Sequence, residues 1–444
     1  MSKNRLFTTT PKNEMAFLVG IETFNKKSLL PIQDSLDELA LLARTAGIEV
    51  VGQTTQKMEK QNPATLIGSG KVEEVKALAN ELQADIVLFD EELSPRHLRN
   101  LEEIFGDQMQ ILDRTALILD IFALHASTAE GKLQVELAQC EYRLPRLTRA
   151  WTHLARQAGG GGGRTGSVGG VGLRGPGETQ LEVDKRQISH RMSFLKTEIE
   201  KVRSHRSQYR KMRKKMQIPI VALVGYTNAG KSTLLNQLTK SEVYVANLLF
   251  ATLDPITRRL DLPGGEAILV TDTVGFIQKL PTQLIISFRA TLEEINEADL
   301  LLHIVDISHP ASFVHWRSVQ DTLKEIGAEN IPTITVLNKI DVLKNNNADL
   351  SNAWFSGLPN SIAISASEGT NIDQLIKLIK NELFETLIPI SVKLTYKQGQ
   401  LISLFHQNGR VDKIEHGIGG VKMKGYIPGR LVNRFLPFIE NKKR

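Results

Sequence analysis

Residues 221–233 combine three patterns whose succession restricts the fold of the whole chain. An apolar run ending at Val224 predicts a buried strand, and a helix is predicted to begin near Lys231 and to run through Leu234, Leu235 and Leu238. Between them lies a turn that fits G-x-x-x-x-G-K-[ST] at every fixed position: Gly225, Tyr226, Thr227, Asn228, Ala229, Gly230, Lys231, Ser232 and Thr233. A strand, a glycine turn and a helix in this order are typical of an α/β fold with a parallel sheet.

The residue types of this turn suit a polyphosphate. Its glycines let backbone N–H groups converge on phosphate oxygens, and the helix N-terminus adds partial positive charge. Lys231 would supply a positive charge to the β- and γ-phosphates, and the Ser232 hydroxyl is placed to bind Mg²⁺. A glycine turn between a strand and a helix is also ordinary α/β architecture, so the motifs downstream must decide.

The bulk composition indicates a soluble protein of several domains. The chain has 444 residues, 41% hydrophobic and 23% charged, which favours two to four domains. No apolar run approaches the roughly 20 residues of a bilayer helix, and the first ten residues lack the apolar core of a signal peptide. The single cysteine, Cys140, fits a reducing compartment. We therefore expect a cytoplasmic protein, monomeric when free, with a peripheral membrane association left open.

Charge is distributed unevenly along the chain. Residues 131–215 hold 19 Lys and Arg against 7 Asp and Glu, so this segment carries +12 while the rest of the chain carries −6. A basic segment in an otherwise acidic protein indicates a polyanionic partner, most simply nucleic acid. The alternative is a solvated helix face without a partner.

The sequence predicts an N-terminal α/β subdomain at residues 1–128. Strands at 16–21 and 86–89 alternate with helices at 35–46 and 72–82, which favours a parallel sheet. The run from Leu66 to Lys71 resembles a phosphate loop, but Thr65 replaces the first glycine and Val72 replaces the magnesium-binding hydroxyl. We interpret it as a tight turn before a helix and leave open whether this subdomain binds ATP.

Residues 129–215 predict a basic antiparallel helical hairpin. Apolar residues recur at alternating spacings of four and three along two stretches: Leu133, Leu137, Cys140, Leu144, Leu147, Trp151 and Leu154, then Ile188, Met192, Leu195, Ile199 and Val202. Pro145 must kink or break the first helix. The loop at 159–177 has 11 glycines in 19 residues and carries Arg164 and Arg174. It is either a flexible linker or a loop that threads a narrow RNA-lined space, and its final stretch at 175–180 predicts a defined turn.

Residues 216–387 place further chemistry at strand ends. The loop Phe250-Ala251-Thr252 follows the phosphate turn, and Asp272-Thr273-Val274-Gly275 ends a predicted strand about 40 residues beyond it. Asp272 can hold the magnesium shell and the Gly275 amide can meet a γ-phosphate. His303, inside the next apolar run, is interpreted as a core histidine.

A third motif selects the base. Asn338-Lys339-Ile340-Asp341 follows a predicted strand, and Ser365-Ala366-Ser367 follows the next one. Guanine offers two N–H donors that the Asp341 carboxylate can accept together, whereas adenine has an acceptor there and leaves the carboxylate unpaired. Asn338 and the Lys339 stem would pack around the base, and the 365–367 backbone would meet the guanine O6. Four motifs in this order predict a GTP-binding domain.

The sequence is similar to the HflX family of P-loop GTPases. The resemblance covers nearly the whole chain and includes Gly68-Ser69-Gly70-Lys71, Tyr142-Arg143-Leu144-Pro145-Arg146-Leu147 and Gly175-Pro176-Gly177-Glu178-Thr179 beside the GTPase motifs. It implies binding to the large (50S) ribosomal subunit and its RNA through the hairpin and glycine loop. It further implies the splitting or rescue of stalled ribosomes, notably under heat stress.

We assign GTP and Mg²⁺ as ligands and leave K⁺ open. The catalytic residues predicted are Lys231, Thr252 and Gly275, and the metal ligands are Ser232, Thr252 and Asp272. Phe276 stands where many GTPases carry a water-orienting glutamine, so we expect slow intrinsic hydrolysis. The ribosome would complete the catalytic arrangement. Asn228 stands where some relatives hold K⁺. The nucleotide contacts comprise the turn 225–233, residues 250–252 and 272–275, Asn338, Lys339, Asp341 and residues 365–367.

Residues 388–444 predict a small C-terminal α/β domain without a chemical motif, with a strand at 390–394, a helix at 399–406 and a mildly basic segment at 421–425. Two other functions remain open at this point. One is ATP-dependent remodelling of ribosomal RNA with a regulatory GTPase domain. The other is a switch whose partner is a protein, with the hairpin as a spacer.

Overall fold

The computed structural model describes residues 14–24, 31–147, 176–216, 218–240, 249–250, 254–263, 265–279, 294–345, 354–355, 357–385, 387–417 and 419–439. By contact density the chain divides into two units. The first comprises residues 1–202 and 279–287, and the second comprises residues 203–278 and 288–444. The mixed α/β character predicted from the sequence is confirmed in both.

The first unit alternates strands and helices from its N-terminus. In chain order its elements are β1 (Met15–Thr23), α1 (Ile32–Thr45), β2 (Glu49–Met58), α2 (Ser69–Glu81), β3 (Ile86–Phe89), α3 (Pro95–Phe105), β4 (Gln110–Asp113), α4 (Arg114–His125) and α5 (Ala129–Arg143). The strands form a parallel sheet in the order β2-β1-β3-β4. Helices are needed to reconnect parallel strands, which explains the strict alternation.

The turn before α2 is the structural element that the sequence predicted. Gly68 precedes the helix, and its N–H donates to the Gln56 side chain at 3.0 Å. Lys71 is paired with Glu74 at 2.6 Å, one turn further along the helix. The amide and the ammonium that resemble a phosphate loop are thus both engaged within the protein.

A buried arginine joins the carboxyl end of β3 to α1 and α4. Arg114 is 1% exposed, and its Nη1 donates to the Asp90 carboxylate at 2.7 Å. Its Nη2 is paired with Glu38. A buried guanidinium is tolerated only when carboxylates accept from it, so removing either acid would leave an uncompensated charge.

The break predicted at Pro145 is confirmed, since α5 ends at Arg143 and a short 3₁₀ turn spans Leu144–Arg146. Helix α6 (Pro176–Met216) begins at Pro176, so residues 176–180 are helical rather than the turn predicted from the sequence. Proline is favoured at the first position of a helix because its fixed φ suits the first turn. The N–H that proline lacks would have no partner within the helix at this position.

The predicted apolar seam is the covered side of α6. Leu195 is fully buried, and Ile188, Met192, Ile199 and Val202 are half-buried. Two ion pairs join α6 to α5, Glu136–Arg191 at 2.6 Å and Glu141–Lys196 at 3.3 Å. Both pairs advance in the same sense along the two helices, so α5 runs parallel to this part of α6, whereas the sequence predicted antiparallel seams. Trp151 and Leu154, at the end of the first seam, lie outside the described residues, and their antiparallel pairing stays a prediction.

The second unit begins with a six-stranded sheet. Its elements are β5 (Ile220–Gly225), α7 (Lys231–Thr239), β6 (Ile256–Asp261), β7 (Ala267–Asp272), β8 (Leu300–Asp306), α8 (Ser312–Glu325), β9 (Thr333–Asn338), α9 (Ile340–Asn345), β10 (Ser361–Ala363) and α10 (Ile372–Lys380). The strand order is β10-β9-β8-β5-β7-β6, with only β6 antiparallel to its neighbour. The carboxyl ends of the parallel strands therefore meet at one edge, where ligands of such sheets bind.

The C-terminal domain is a separate antiparallel sheet within this unit. It consists of β11 (Leu387–Leu394), α11 (Gly399–Asn408), β12 (Arg410–Gly417), β13 (Gly420–Pro428) and the short helix α12 (Val432–Phe435). The strand order is β11-β13-β12. One face of the sheet packs on Leu404, Phe405 and Phe435 to form a hydrophobic core. The helix and the first strand lie where the sequence predicted them.

Across the described residues, no helix has both the length and the apolar character needed to cross a membrane.

Candidate nucleotide-binding site

The phosphate loop follows β5 and turns sharply into α7. Gly230 has a φ of +95°, and Asn228 has a φ of +61°. Both values lie in the left-handed region, which glycine and asparagine tolerate better than other residues. A Cβ on Gly230 would lie 2.3 Å from the amide nitrogen of Asn338, so this glycine is required by both backbone and space. Thr233 lies in the first turn of α7, where backbone amides have no acceptor within the helix and can meet an anion.

Gly225 lies where β5 passes close to its neighbour β8. A Cβ at this position would lie 2.4 Å from the backbone oxygen of Ile304. Because a backbone atom in a paired strand cannot move aside, no larger residue fits here. The first glycine of the motif is therefore fixed by the packing of the sheet, and the turn begins at its edge.

Lys231 is enclosed by the loop that precedes it. Its ammonium group donates to the backbone oxygens of Tyr226 at 2.8 Å and Gly225 at 3.3 Å. Only 7% of the residue is exposed, and burial lowers the pKa of Lys231 from 10.5 to about 8, against the opposing effect of Asp272. A bound phosphate would supply the negative charge that this buried cation lacks.

Two oxygen ligands suited to a divalent cation face each other beside the loop. The Ser232 hydroxyl donates to Oδ2 of Asp272 at 2.6 Å. Ser232 lies in the first turn of α7, and Asp272 ends β7, fully buried. Hydroxyl and carboxylate oxygens are the donors that Mg²⁺ prefers, so the two residues fit this metal.

The segment after Asp272 packs on the phosphate loop. The Thr273 hydroxyl donates to the backbone oxygen of Leu223 at 2.6 Å, so its side chain serves the sheet. Val274 is half-buried, and a Cβ on Gly275 would lie 2.9 Å from both the Lys231 ammonium and the Thr227 Cα. The absence of a side chain at Gly275 keeps space open beside the lysine.

Phe276 pairs with the loop through its backbone. Its N–H donates to the Gly225 oxygen at 3.0 Å, and its own oxygen accepts from the Thr227 N–H at 2.8 Å. The side chain is 6% exposed and apolar. The Thr227 amide is therefore used by this segment, and a phosphate that claimed it would have to displace Phe276.

Tyr226 adds a contact that the sequence did not predict. Its ring stacks on His315 of α8 with centroids 3.9 Å apart and planes 8° apart, and its hydroxyl accepts from the Gln278 N–H at 3.0 Å. Burial and the neighbouring His309 lower the pKa of His315 to about 4, so a neutral imidazole faces the tyrosine near neutral pH. No local sequence signal pairs position 226 with position 315, since only the α8–β5 packing brings them together.

The predicted base-binding motif lies at the ends of β9 and β10. The Asn338 amide donates to the Ala229 oxygen at 2.9 Å and accepts from the Ala366 N–H at 3.0 Å. Asn338 thus ties the phosphate loop to the turn at 365–367. Within that turn the hydroxyls of Ser365 and Ser367 are 3.0 Å apart.

Lys339 and Asp341 complete this side. Lys339 has a φ of +68°, and its ammonium is paired with Asp306 at 2.6 Å. One carboxylate oxygen of Asp341 is buried and has no hydrogen-bond partner among the described residues. The Thr227 hydroxyl is in the same condition. Buried polar atoms without partners are costly, so both indicate a ligand that would satisfy them.

The predicted residues of 225–233, 272–275, 338–341 and 365–367 thus gather at one edge of the sheet, whereas two residues of the loop 250–252 are not described. Phe250 is described, with a φ of +57° and 2% exposure, but Ala251 and Thr252 lie outside the described residues. His303 is a core histidine as predicted, fully buried, and its pKa is lowered to about 3 by burial. Asp306 was not predicted as a site residue, although an acidic residue at the end of an apolar strand could have indicated it.

Three family models match the chain in order. They are described as GTP-binding GTPase N-terminal over residues 33–123, GTP-binding GTPase Middle Region over 125–213 and 50S ribosome-binding GTPase over 220–339. Together with the site geometry, these matches define a P-loop GTPase that binds GTP.

Curated relatives define the family. The GTPase HflX of Caldanaerobacter subterraneus subsp. tengcongensis is 43% identical over 92% of this chain and 90% of its own length. That of Alkalihalophilus pseudofirmus is 50% identical over 74% of each chain, and that of Escherichia coli K12 is 40% identical over 92% of each. The chain belongs to the HflX family of GTPases, as the resemblance in its motifs indicated.

Proposed function

We propose that this GTPase binds the large ribosomal subunit and, when loaded with GTP, splits or rescues stalled ribosomes. The observation that carries the proposal is the match of residues 220–339 to the family described as 50S ribosome-binding GTPase. On this proposal the ribosome stimulates hydrolysis, and the product GDP favours release. Such a partner also implies a cytoplasmic location.

The exposed sides of α6 support an RNA partner. Its covered side is the apolar seam, whereas the cations of the described part are exposed: Lys185, Arg186, Arg191, Lys196, Lys201 and Arg203. Cations at intervals along a helix can neutralise successive phosphates of RNA. Residues 159–175 of the glycine loop at 159–177 lie outside the described residues, and we propose that the loop contacts the same subunit.

The roles of the site residues follow from their positions. The amides of 225–233 and the Lys231 ammonium would hold the phosphates, and residues 250–252 and 272–275 would respond to the γ-phosphate. Asp341 would accept from the two guanine donors, while Asn338, Lys339 and the 365–367 turn would hold the base in place. The unpartnered Asp341 oxygen supports this assignment for guanine.

Mg²⁺ would be held by Ser232 and Asp272, with Thr252 as a further ligand. The metal supplies positive charge that stabilises the phosphate oxygens during hydrolysis. We also propose K⁺ at Asn228. Equal GTP turnover in NaCl and KCl at matched ionic strength would remove potassium from the proposal.

Slow turnover without ribosomes follows from Phe276. This apolar side chain cannot orient water, and its backbone is bound to the phosphate loop. We therefore expect intrinsic turnover far below the roughly 5–20 s⁻¹ of a fully assembled GTPase site. Turnover of that size in purified protein alone would contradict this expectation.

The test is GTP turnover with and without purified large ribosomal subunits. We would compare the wild type with a deletion of residues 159–177 and with the variant K185E/R186E, which reverses two exposed cations of α6. The matched control is K324E/K377E, which makes the same charge change at two exposed helical lysines of the second unit.

The expected result is strong stimulation of the wild type and the control, with weaker stimulation of K185E/R186E at low subunit concentration. A loss on deletion of 159–177 would assign a role to the loop. Absence of stimulation in the wild type would reject the ribosome as activator and favour a protein-partner switch. Equal stimulation of both charge variants would reject α6 as the contact.

A further inference from the structure

The open face of the C-terminal sheet carries a cluster of cations. The antiparallel register places Lys393, Lys422 and Glu415 side by side, then Ser391, Lys424 and Lys413, then Pro389, Tyr426 and Arg410. We call these nine residues the basic sheet face. On β11 and β13 they alternate with the apolar residues that form the core on the other side, so they lie on the side away from α11. On β12 a bulge at Asp412 interrupts the alternation, and the register keeps Arg410, Lys413 and Glu415 opposite the same-side residues of β13.

The basic sheet face is accessible. The side chains of Arg410, Lys413 and Glu415 are 77%, 65% and 52% exposed, and Tyr426 is 37% exposed. The face holds five cations and one acid, Glu415, and Asp412, at the bulge of β12, pairs with Arg410 at 3.5 Å. Lys413 pairs with Glu415 at 2.6 Å, and the pKa of Glu415 is lowered by Lys413 first, then by Lys422 and Lys424. The lysines of two neighbouring strands therefore act together on one small area.

Protection of a sheet edge does not explain this arrangement. Edge strands often carry lysine to prevent pairing with another chain, and β12 is an edge strand. Lys422 and Lys424, however, lie on β13, the central strand, whose backbone is already paired on both sides. Like charges on adjacent positions also destabilise a sheet unless a partner neutralises them.

We propose that the basic sheet face is an RNA-binding surface that takes a single strand. The row of lysines on β13 and β12 would follow the phosphates, and the Tyr426 ring, between Pro389 and Arg410, would stack one base. A sheet that presents cations and an aromatic ring on its open face is suited to stacking unpaired bases. Self-association through this face is disfavoured, since two copies would bring ten cations against four acids, Asp412 and Glu415 of each copy.

An acidic protein segment is the alternative polyanion that could bind the basic sheet face. It would use the lysines but gain little from the ring or from the arginine beside it, whereas a base stacks on both. The contribution of Tyr426 to binding therefore distinguishes RNA from an acidic protein segment. The proposal is independent of ribosome binding, because it concerns a different surface and is tested with naked RNA.

The test is hydrogen exchange of the full chain with and without a 12-nucleotide single-stranded uridine RNA. Because α6 can also hold RNA, peptides from 182–204 and from 410–428 are followed separately. We expect RNA to slow exchange in 410–428. The variant K413Q/K422Q/K424Q should lose this protection, and its slope of log Kd against log salt should fall by about 2, at roughly 0.7 per phosphate contact.

The matched control is K57Q/K324Q/K377Q, which removes the same charge from exposed lysines elsewhere and should keep both the protection and the slope. Y426L should weaken the binding of single-stranded RNA about tenfold and leave the binding of duplex RNA of equal charge unchanged. Exchange without RNA shows that each variant keeps the sheet.

Three results would overturn the proposal. The first is no protection of 410–428 in the wild type. The second is equal behaviour of the two triple variants. The third is equal protection by polyglutamate of the same charge, with no effect of Y426L, which would indicate an acidic protein partner. A failure of ribosomal stimulation in the turnover assay touches none of these outcomes.

Discussion

The Ser232 hydroxyl and the Asp272 carboxylate, 40 residues apart in the chain, are joined by a hydrogen bond of 2.6 Å. The helix after the phosphate loop presents the first, and the end of the adjacent strand β7 presents the second. This contact brings two of the predicted metal ligands together, and it suggests the first prediction.

S232A should lower magnesium-dependent GTP turnover by on the order of 100-fold, because one oxygen ligand and one hydroxyl donor are lost. The measurement is turnover against magnesium concentration. T239A is the matched control, since it removes another hydroxyl from the same helix, one that donates to the Leu235 oxygen at 2.8 Å. An unchanged magnesium dependence in S232A would contradict the assignment.

D341N should weaken the recognition of guanine and strengthen the recognition of xanthine. An amide at this position cannot accept from both guanine donors, and the mismatch should cost about 2–3 kcal/mol, or roughly 100-fold in GDP affinity. The same amide can donate to the oxygen that xanthine carries in place of the amino group, so XDP should bind better to D341N than to the wild type. Calorimetric Kd values for both nucleotides test this. D373N, an exposed acid of α10, should change neither.

A comparison of G230A with G265A distinguishes the cost of backbone strain from the cost of a steric clash. Both glycines have left-handed φ values, +95° and +92°, but a Cβ on Gly265 meets no atom of the described residues within 4 Å, whereas one on Gly230 lies 2.3 Å from Asn338. G265A should therefore cost only the strain, about 1 kcal/mol. G230A should cost more in urea unfolding and also lose GDP affinity, because Asn338 is held by two hydrogen bonds and cannot move aside. Equal losses in the two variants would show that collision is unimportant.

Lys231 predicts a pH dependence of the nucleotide-free protein. Its pKa is lowered from 10.5 to about 8 in the folded state, so between these values the unfolded state binds more protons. The free energy of unfolding should therefore rise with pH in this window, by about 3 kcal/mol, relative to the variant K231M. Below pH 8 both states are protonated and the difference is constant. Urea titrations of both proteins from pH 7 to 10.5 measure it, and a flat difference would contradict the lowered pKa.

The sequence was sufficient for the elements with strong local signals. Apolar runs predicted β1, β3, β5 and the later strands of the second unit, because a strand buried on both faces needs no partner to be recognised. The helix start at Lys231 followed from the glycine turn. The helical start at Pro176 was missed, because a glycine-rich context favours a turn and proline fits both.

Within the site, the sequence predicted which residues carry chemistry but not how they engage one another. Nothing local indicated that Phe276 would claim the Thr227 amide, or that Asn338 would bridge the loop and the 365–367 turn. The stack of Tyr226 on His315 likewise depends on how α8 packs against β5. Such contacts join positions far apart in the chain, and periodicity carries no information about them.

The sequence by itself determined the class of fold, the order of the motifs and the nucleotide they select, because each rests on residue types at short spacing. Tertiary structure decided the rest. It enclosed Lys231 in low-dielectric surroundings, left a buried oxygen of Asp341 without a partner among the described residues and aligned lysines of different strands on one open face. Burial, electrostatic coupling and register arise only when distant segments pack, and that is why no single stretch of the chain could reveal them.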